Sequence, residues 1–211
     1  MPAPLFLTSG DLTADRRYDF GRDLELRGIK IPHTVWFPRG GDLIKFLKEN
    51  VRGDQIIKPT VSAGAYNTHR VSPETIEEVA ASLEKVAREK DLMLQEYMPE
   101  IESPGEYSLV FFRNEFSHAV LKTPAQGDFR VQPRYGGQQI GVEVSEEMIA
   151  HARDILTKIL FDDAPLYARV DGMGRHSEFI LMELELIEPY LFLEFQERAV
   201  ILLSNSIEAV E

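Results

Sequence analysis

Two pairs of apolar runs constrain the fold of this chain more than any other feature of its sequence. In the first pair, Tyr107–Phe112 and Phe116–Leu121 flank a polar Arg-Asn dipeptide. In the second pair, Tyr167–Asp171 and Glu178–Ile187 flank a Gly- and Ser-containing segment. Apolar runs joined by a few turn-forming residues are typical of β-hairpins. Since helix signals surround these hairpins, we predict an α+β fold with antiparallel sheets rather than a doubly wound parallel sheet.

The helix signals are start sites followed by regular apolar spacing. Ser72-Pro73 offers a capping hydroxyl before Pro at the first helical position, and Ser145 offers a second capping hydroxyl. Apolar residues at helical spacing follow both, which indicates one buried face on each helix. Further helices are predicted at 14–27, directly after Asp42 and at 194–208, and short strands at 31–37, 55–58 and 92–98.

Composition excludes several classes of protein. The 211 residues carry 23 Lys and Arg against 35 Asp and Glu, a formal charge of −12, whereas nucleic-acid binding needs a basic face. The absence of Cys excludes disulfides, Cys zinc sites and thiol nucleophiles. A membrane-spanning helix needs about 20 apolar residues in a row, and no apolar run here is that long. The N-terminus also lacks the basic residues that begin a signal peptide. We therefore expect a soluble, cytoplasmic protein.

The second hairpin carries the most informative chemistry. Because alternate residues share one face of a strand, Arg169 and Asp171 share a face, as do Glu183 and Glu185 on the next strand. A turn centred near Ser177 would set Asp171 opposite Glu183 and Arg169 opposite Glu185. Facing carboxylates repel, and hard divalent cations such as Mg²⁺ bind such oxygens. The pattern predicts a metal site, although a solvated acidic face on an ordinary hairpin fits it equally well.

Several weaker signals point to a phosphorylated ligand. Lys58 ends a strand and precedes the small residues Ser62 to Gly64, which would let backbone N–H groups approach phosphate oxygens. No Walker A loop is present. Arg130 lies in a basic, Gly-containing connection that begins at Lys122, and it could stabilise charge on a transferring phosphoryl group. Taken alone, each of these basic residues fits an ordinary exposed position.

In chain order these pieces resemble the ATP-grasp superfamily, over about residues 14–193. Three segments are similar to its glutathione-synthetase-like branch, which contains the O-ureido-D-serine cyclo-ligase of D-cycloserine biosynthesis: KPTVSAGAYNTHRV, FSHAVLKTPAQGDFRVQPRYGG and MELELIEPYLFL. The resemblance implies two α+β lobes whose antiparallel sheets clasp a nucleotide. The small lobe would cover about 14–98 and the larger, metal-binding lobe about 99–211. The implied cofactors are ATP and Mg²⁺, with Mn²⁺ as an alternative cation.

The resemblance also implies roles for matching positions. Asp171, Glu183 and Glu185 would hold Mg²⁺. Lys122, Arg130 and Arg169 would be the catalytic cations. Lys122 and Arg130 would face the phosphates or the acyl acceptor, and Arg169 would contact phosphate or the activated carboxylate. The nucleotide-binding set would comprise phosphate contacts from Lys58, Ser62 and Gly64, an adenine pocket between the lobes lined by Gln95, Glu96 and Met98, and a ribose contact from Glu102 or Glu106.

Three features depart from the family's pattern. Glu185 stands where Asn is usual, and Arg16-Arg17-Tyr18 stands where a Lys-Arg-Tyr segment is usual. The chain also begins almost at the first ATP-grasp helix, without the usual N-terminal substrate-binding domain. We therefore expect either a truncated gene product or a partner chain or second copy that supplies the missing surface.

The resemblance implies a Mg²⁺-ATP-dependent ligase that forms a C–N bond, including by cyclisation, on a small amino-acid-like substrate. The reaction would pass through an acyl-phosphate-type intermediate. Two alternatives are open at this point. One is a non-catalytic ATP-binding module or truncated relic that acts through a partner, and the other is a plain α+β interaction domain with an acidic surface.

Overall fold

The computed structural model describes residues 24–60, 64–158 and 164–208, so the predicted helix at 14–27 lies largely outside the described residues. Of the described residues, 31–99 form one compact unit, and 24–30 together with 100–208 form a second. The elements in chain order are β1 (Thr34–Phe37), α1 (Leu43–Asn50), β2 (Gln55–Pro59), β3 (His69–Val71), α2 (Ile76–Glu89), β4 (Leu92–Glu96), β5 (Glu106–Phe112), β6 (Glu115–Thr123), β7 (Gln138–Val142), α3 (Glu146–Thr157), β8 (Tyr167–Arg175), β9 (Glu178–Glu185) and α4 (Ala199–Glu208).

The unit at 31–99 is a four-stranded antiparallel sheet with two helices. The strand order is β1-β4-β2-β3, and one face of the sheet packs against α1 and α2. Helix α1 begins after Asp42, as predicted, because the Asp42 carboxylate accepts a hydrogen bond from the Lys45 N–H at 3.0 Å. The sheet face that meets the helices carries Ile57, Leu92 and Leu94, and the helices contribute Leu47 and Leu83. All five side chains are fully buried.

One prediction in this unit is wrong, and one strand was not predicted. Helix α2 begins at Ile76 and not at Ser72-Pro73. The Ser72 hydroxyl donates to the Glu74 carboxylate at 2.6 Å, and the Thr75 N–H donates to the Ser72 carbonyl at 3.0 Å, so these residues form a turn ahead of the helix. Strand β3 was not predicted, since three residues pairing with β2 leave too short an apolar pattern.

The second unit is built on a five-stranded antiparallel sheet in the order β7-β6-β5-β8-β9. Both predicted hairpins are present. Their turns, Arg113-Asn114 and His176-Ser177, have positive φ angles between 48° and 66°, which is the geometry of tight two-residue hairpin turns. Ser145 caps α3 as predicted, accepting a hydrogen bond from the Met148 N–H at 3.2 Å.

Two segments of this unit differ from the predictions. The predicted helix at 194–208 is shorter, because a 3₁₀ turn at Leu193–Phe195 precedes α4. Strand β7 was not predicted; it lies in the Gly-containing stretch after Arg130 and pairs with β6. The α+β, all-antiparallel fold class is confirmed. In the described ranges no helix is both long and apolar enough to cross a bilayer.

A β-bulge sets the register of the β8–β9 hairpin. From the turn inwards, Arg175 pairs with Glu178 and Gly172 pairs with Leu181, but Asp171 pairs with Glu183. Gly172 is required at this point, since a Cβ there would lie 2.5 Å from the Ile180 carbonyl oxygen. The predicted pairs, Asp171 with Glu183 and Arg169 with Glu185, are therefore confirmed, although the turn itself lies half a residue earlier than predicted.

Candidate metal and nucleotide site

Three carboxylates converge on one face of the β8–β9 hairpin. One oxygen from each of Asp171, Glu183 and Glu185 lies within 4.8 Å of the others. Asp171 is fully buried, Glu185 is half-buried and Glu183 is exposed, so the group opens outwards from a buried base. We call these three residues the carboxylate cluster. Oxygen ligands at this separation suit a hard cation such as Mg²⁺.

Asp171 is the most constrained member of the carboxylate cluster. Its Oδ1 accepts hydrogen bonds from the Ser108 hydroxyl at 2.7 Å and from Arg169 Nε at 2.9 Å. Its Oδ2 accepts from Lys122 Nζ at 3.0 Å and from Arg169 Nη2 at 2.9 Å. Burial by itself would raise the pKa of Asp171, but the charges of Lys122 and Arg169 hold the pKa below its usual value. Asp171 is thus an ionised carboxylate in a fixed orientation.

Arg169 joins Asp171 to Glu185. Its Nη2 also donates to the Glu185 carboxylate, and its Nη1 donates to the Tyr190 carbonyl at 3.0 Å. Burial raises the pKa of Glu185 to about 7, because the charge of Arg169 offsets burial only in part and the other carboxylates repel. Additional positive charge near Glu185 would therefore favour its ionised form.

A buried ion pair lies beside the carboxylate cluster. Glu106 is the first residue of β5, and its carboxylate contacts Lys122 Nζ. Together with the carboxylate cluster and Arg169, this pair makes a six-residue group that we call the charged site. When all six are ionised, four carboxylates face two cationic groups, a net charge of −2. One divalent cation would balance that charge.

Arg130 has a different partner. It lies in the connection between β6 and β7, where Nη2 contacts Asp128 Oδ2 at 2.7 Å and Nε contacts Oδ1 at 3.0 Å. Its guanidinium carbon lies 3.8 Å from the centre of the Tyr135 ring. The hydrogen bonds from Arg130 lower the pKa of Asp128 to about 2. Its predicted role toward a phosphoryl group stays a prediction.

Most of the nucleotide-binding candidates lie on the other unit. Lys58 pairs with Met93 and Gln95 pairs with Ile56, so Lys58 and Gln95 share the sheet face turned away from the buried Ile57 and Leu94. The Gln95 side-chain amide donates to the Thr34 hydroxyl at 3.0 Å.

The other candidates for nucleotide binding occupy varied positions. Glu96 ends β4, where its N–H donates to the His33 carbonyl at 2.9 Å, and Met98 is buried just beyond. Gly64 is exposed in a turn with φ +58°, and Ser62 lies outside the described residues. Glu102 is exposed in the turn before β5. The roles assigned to all of these residues stay predictions.

Comparison with known families identifies this arrangement. A family model described as the ATP-grasp domain of prokaryotic glutathione synthetase matches residues 29–197. The chain belongs to this ATP-grasp family. That range contains every candidate site residue discussed above, and both sheets fall within it. The resemblance inferred from the sequence motifs is confirmed.

One curated relative and several solved structures are similar to this ATP-grasp chain. The glutathione synthetase of Neisseria meningitidis serogroup A / serotype 4A is 30% identical over 115 residues, which are 54% of this chain and 35% of that protein. The match thus spans about a third of the curated relative.

The structural likenesses cover more of the chain. A crystal structure of a D-cycloserine synthetase has a TM-score of 0.79 at 22% identity, covering 92% of this chain and 70% of that one. A D-alanine–D-alanine ligase from Bacillus anthracis, complexed with ATP, has a TM-score of 0.66 at 15% identity, covering 94% and 65%. The ATP-grasp ligase PsnB, complexed with minimal precursor, Mg and ADP, gives 0.61 at 14% identity, covering 92% and 59%. At these identities the likenesses establish the shared fold.

Sequence reasoning missed two contacts at the charged site. Ser108 lies opposite Asp171 across β5 and β8, and Glu106 lies opposite Lys122 across β5 and β6. The sequence signal for both contacts was a pair of polar residues, Glu106 and Ser108, at alternate positions of the otherwise apolar strand EYSLVFF. Alternation alone predicts that these two side chains share a face. It does not identify their partners, which depend on strand order.

Proposed function

We propose that this chain is the ATP-grasp part of a Mg²⁺-ATP-dependent ligase that joins a carboxylate or comparable carbonyl to an amine. The observation that carries the proposal is the charged site, where three carboxylates converge and buried Lys122 and Arg169 contact two of them, Asp171 and Glu185. Membership of an ATP-grasp family supports nucleotide as the co-substrate. The small amino-acid-like substrate and the acyl-phosphate route belong to the proposal.

The residues present fit a divalent cation. The carboxylate cluster supplies oxygen ligands only, and with all six residues ionised the charged site carries a net charge that one such cation would balance. We propose that Asp171, Glu183 and Glu185 hold Mg²⁺, which when bound would neutralise charge on the nucleotide phosphates. Mn²⁺ prefers similar oxygen ligands and would serve as a substitute.

The chain's own residues would mainly bind and orient the reactants. Lys58, with backbone N–H groups near Gly64, would contact the phosphates, and the strand containing Gln95 would contact the base. Lys122 and Arg169 would donate hydrogen bonds to oxygens of the transferring phosphoryl group or of the substrate carboxylate. Arg130 could do so after exchanging its contact with Asp128. Such preorganised cations lower the barrier because charge develops where they already point.

The proposed reaction has two transfers. In the first, a substrate carboxylate oxygen attacks the γ-phosphorus of ATP, the bond to the bridging oxygen breaks, and ADP leaves. In the second, an amine nitrogen attacks the acyl carbon, the bond to the phosphate oxygen breaks, and phosphate leaves while the nitrogen loses a proton. Alignment of the reactants supplies most of the rate enhancement in chemistry of this kind. A second copy or a partner chain as a source of substrate contacts stays a prediction.

The proposal is tested by nucleotide binding in the presence of the cation. Thermal melting of the chain is compared with ATP, with Mg²⁺ and with both, at ligand concentrations about 100 times the dissociation constant, where binding adds about 2.7 kcal/mol of stability. We expect the cation alone to raise the melting temperature, and ATP to raise it further only when the cation is present. Glu183→Gln should abolish the Mg²⁺-dependent part without unfolding the chain, because Glu183 is exposed. The exposed Glu115→Gln is the control, and no rise with wild type would contradict the proposal.

One observation favours a second candidate, a nucleotide-binding module without turnover. All three predicted catalytic cations already contact carboxylates: Lys122 contacts Glu106 and Asp171, Arg169 contacts Asp171 and Glu185, and Arg130 contacts Asp128. Such pairs restrain the cations away from a substrate. Phosphate release separates the two candidates, because a module would show the Mg²⁺-ATP melting shift yet release no phosphate with amino-acid substrates.

A further inference from the structure

Glu106 is a buried carboxylate that stands outside the carboxylate cluster. It lies directly opposite Lys122 in the β5–β6 ladder, with 11% of its side chain exposed and 7% of the Lys122 side chain exposed. Burial raises the pKa of Glu106, and the Lys122 charge counteracts this only in part. A carboxylate kept at such a desolvation cost in an otherwise apolar strand needs a compensating role.

The position of Glu106 determines where the Lys122 ammonium lies. Lys122 Nζ donates to the Glu106 carboxylate and, at 3.0 Å, to Asp171 Oδ2. An ammonium group has three N–H donors, so one remains for a further acceptor once these two bonds are made. Asp171 alone would not fix the ammonium in this way, because a single contact leaves a flexible lysine side chain free to rotate about it.

The charge of Glu106 also matters for the site. With Glu106 ionised, the charged site has four carboxylates and two cationic groups and matches a divalent cation. Without it, the net charge falls to −1, and Lys122 would pair with Asp171 alone. Lys122 would then compete more strongly with a cation for the Asp171 oxygen. With Glu106 ionised, the Lys122 ammonium is shared between two carboxylates, and its attraction to the proposed metal ligand Asp171 is weaker.

We propose that Glu106 is a positioning residue that acts through Lys122: it holds the ammonium beside Asp171 and sets the site's charge so that Asp171 stays available to a divalent cation. This inference rests on the proposed Mg²⁺-ATP-dependent function and deepens it. The ribose contact predicted for Glu102 or Glu106 is independent of this role and stays a prediction.

The experiment measures Mn²⁺ binding to the full chain without nucleotide, from the electron paramagnetic resonance signal of free Mn²⁺. Glu106→Gln keeps the shape and removes the charge, and we expect its dissociation constant to rise about tenfold or more, the equivalent of 1.4 kcal/mol per factor of ten. Glu106→Asp keeps the charge and should bind close to wild type. The control Glu115→Gln removes an exposed charge from the same hairpin and should bind as wild type does.

A double variant separates positioning from general stability. Glu106→Gln combined with Lys122→Met restores the net charge of −2 with a neutral buried pair. We expect it to regain Mn²⁺ affinity but to release no phosphate from ATP, because the ammonium is absent. If Glu106→Gln does not fold by circular dichroism, the double variant carries the test, and weak Mn²⁺ binding by it would overturn the inference.

The outcomes distinguish this inference from the proposed function. Wild-type affinity in a folded Glu106→Gln variant would overturn the positioning role and leave the metal assignment intact. Absence of Mn²⁺ binding by wild-type protein would overturn the metal assignment and, with it, both proposals. A melting shift with Mg²⁺ and ATP in wild type, alongside unchanged Mn²⁺ binding in Glu106→Gln, would leave only the proposed function standing.

Discussion

At the scale of single residues, the Asp128 carboxylate shows how hydrogen bonds from neighbouring residues stabilise a charge in this chain. The Asp128 carboxylate accepts hydrogen bonds from the Arg130 guanidinium and from two backbone N–H groups, at 2.7 Å from Phe129 and 2.9 Å from Arg130. These bonds, which organise the connection between β6 and β7, lower the pKa of Asp128 to about 2 from 3.8. A lowered pKa stabilises the fold above pH 3.8, and the contribution is lost as the pH falls toward 2.

Asp128→Asn tests this contribution. We expect the free energy of unfolding to fall by about 1–2 kcal/mol at pH 7, a value reduced for the partial exposure of both partners. The difference from wild type should shrink as the pH is lowered from 4 toward 2. Urea unfolding at pH 7, 4 and 3 measures it, with Asp54→Asn at the exposed Arg70 pair as the control. A difference that is unchanged at pH 3 would contradict the assignment.

At the scale of elements, the β5–β6 and β8–β9 hairpins each contain one bulge. The two bulges set the registers that place the residues of the charged site opposite one another. The β5–β6 register shifts by one residue between Val110 and Phe111, and the β8–β9 register shifts between Asp171 and Gly172. A one-residue slip moves a strand's side chains to the other face. Without these bulges, Glu106 would not lie opposite Lys122 and Asp171 would not lie opposite Glu183.

Gly172→Ala tests the second bulge. A Cβ at this position would lie 2.4 Å from Phe179 Cζ and 2.5 Å from the Ile180 carbonyl oxygen. We expect a loss of about 1–3 kcal/mol in the free energy of unfolding from this overpacking, together with weaker Mn²⁺ binding as Asp171 shifts. Gly174→Ala in the same strand is the matched control, since its nearest neighbour would be Met148 Cε at 4.0 Å. Equal stability of the two variants in guanidinium unfolding would refute the requirement for glycine.

The bulges also explain which contacts of the charged site could be predicted from the sequence and which could not. Period-two alternation placed four charged residues on one patch: Arg169, Asp171, Glu183 and Glu185. The placement was correct because a turn centred at Ser177 gives the same residue pairs as the actual turn followed by the bulge. Counting outward from Arg113-Asn114 instead pairs Glu106 with Leu121, so the Glu106–Lys122 contact could not be predicted. A bulge arises from packing against other elements, and hydrophobic periodicity carries no signal for it. For the same reason Ser108 could be assigned to a face but not to Asp171, which belongs to a strand distant in sequence.

At the scale of the whole molecule, the two units have separate apolar cores and different proposed tasks. The core around Leu47, Ile57 and Leu83 lies wholly in the unit at 31–99, and the charged site lies wholly in the other. A cation bound at the charged site stabilises the structure that forms it, whereas other regions open through their own local equilibria. Ligand effects should therefore differ between the units.

Hydrogen exchange measured by mass spectrometry tests this division. With Mn²⁺ at about 100 times its dissociation constant, exchange in peptides from β8 and β9 should slow by up to about a hundredfold, while exchange in α2 stays unchanged. ATP added with the cation should extend protection to β2 and β4, which hold Lys58 and Gln95. Glu183→Gln serves as the control, because it should lose the Mn²⁺ effect while keeping wild-type exchange without ligand. Equal slowing in α2 with Mn²⁺ alone would contradict a cation site confined to the β8–β9 hairpin, since it would mean that the cation stabilises the chain as one cooperative body.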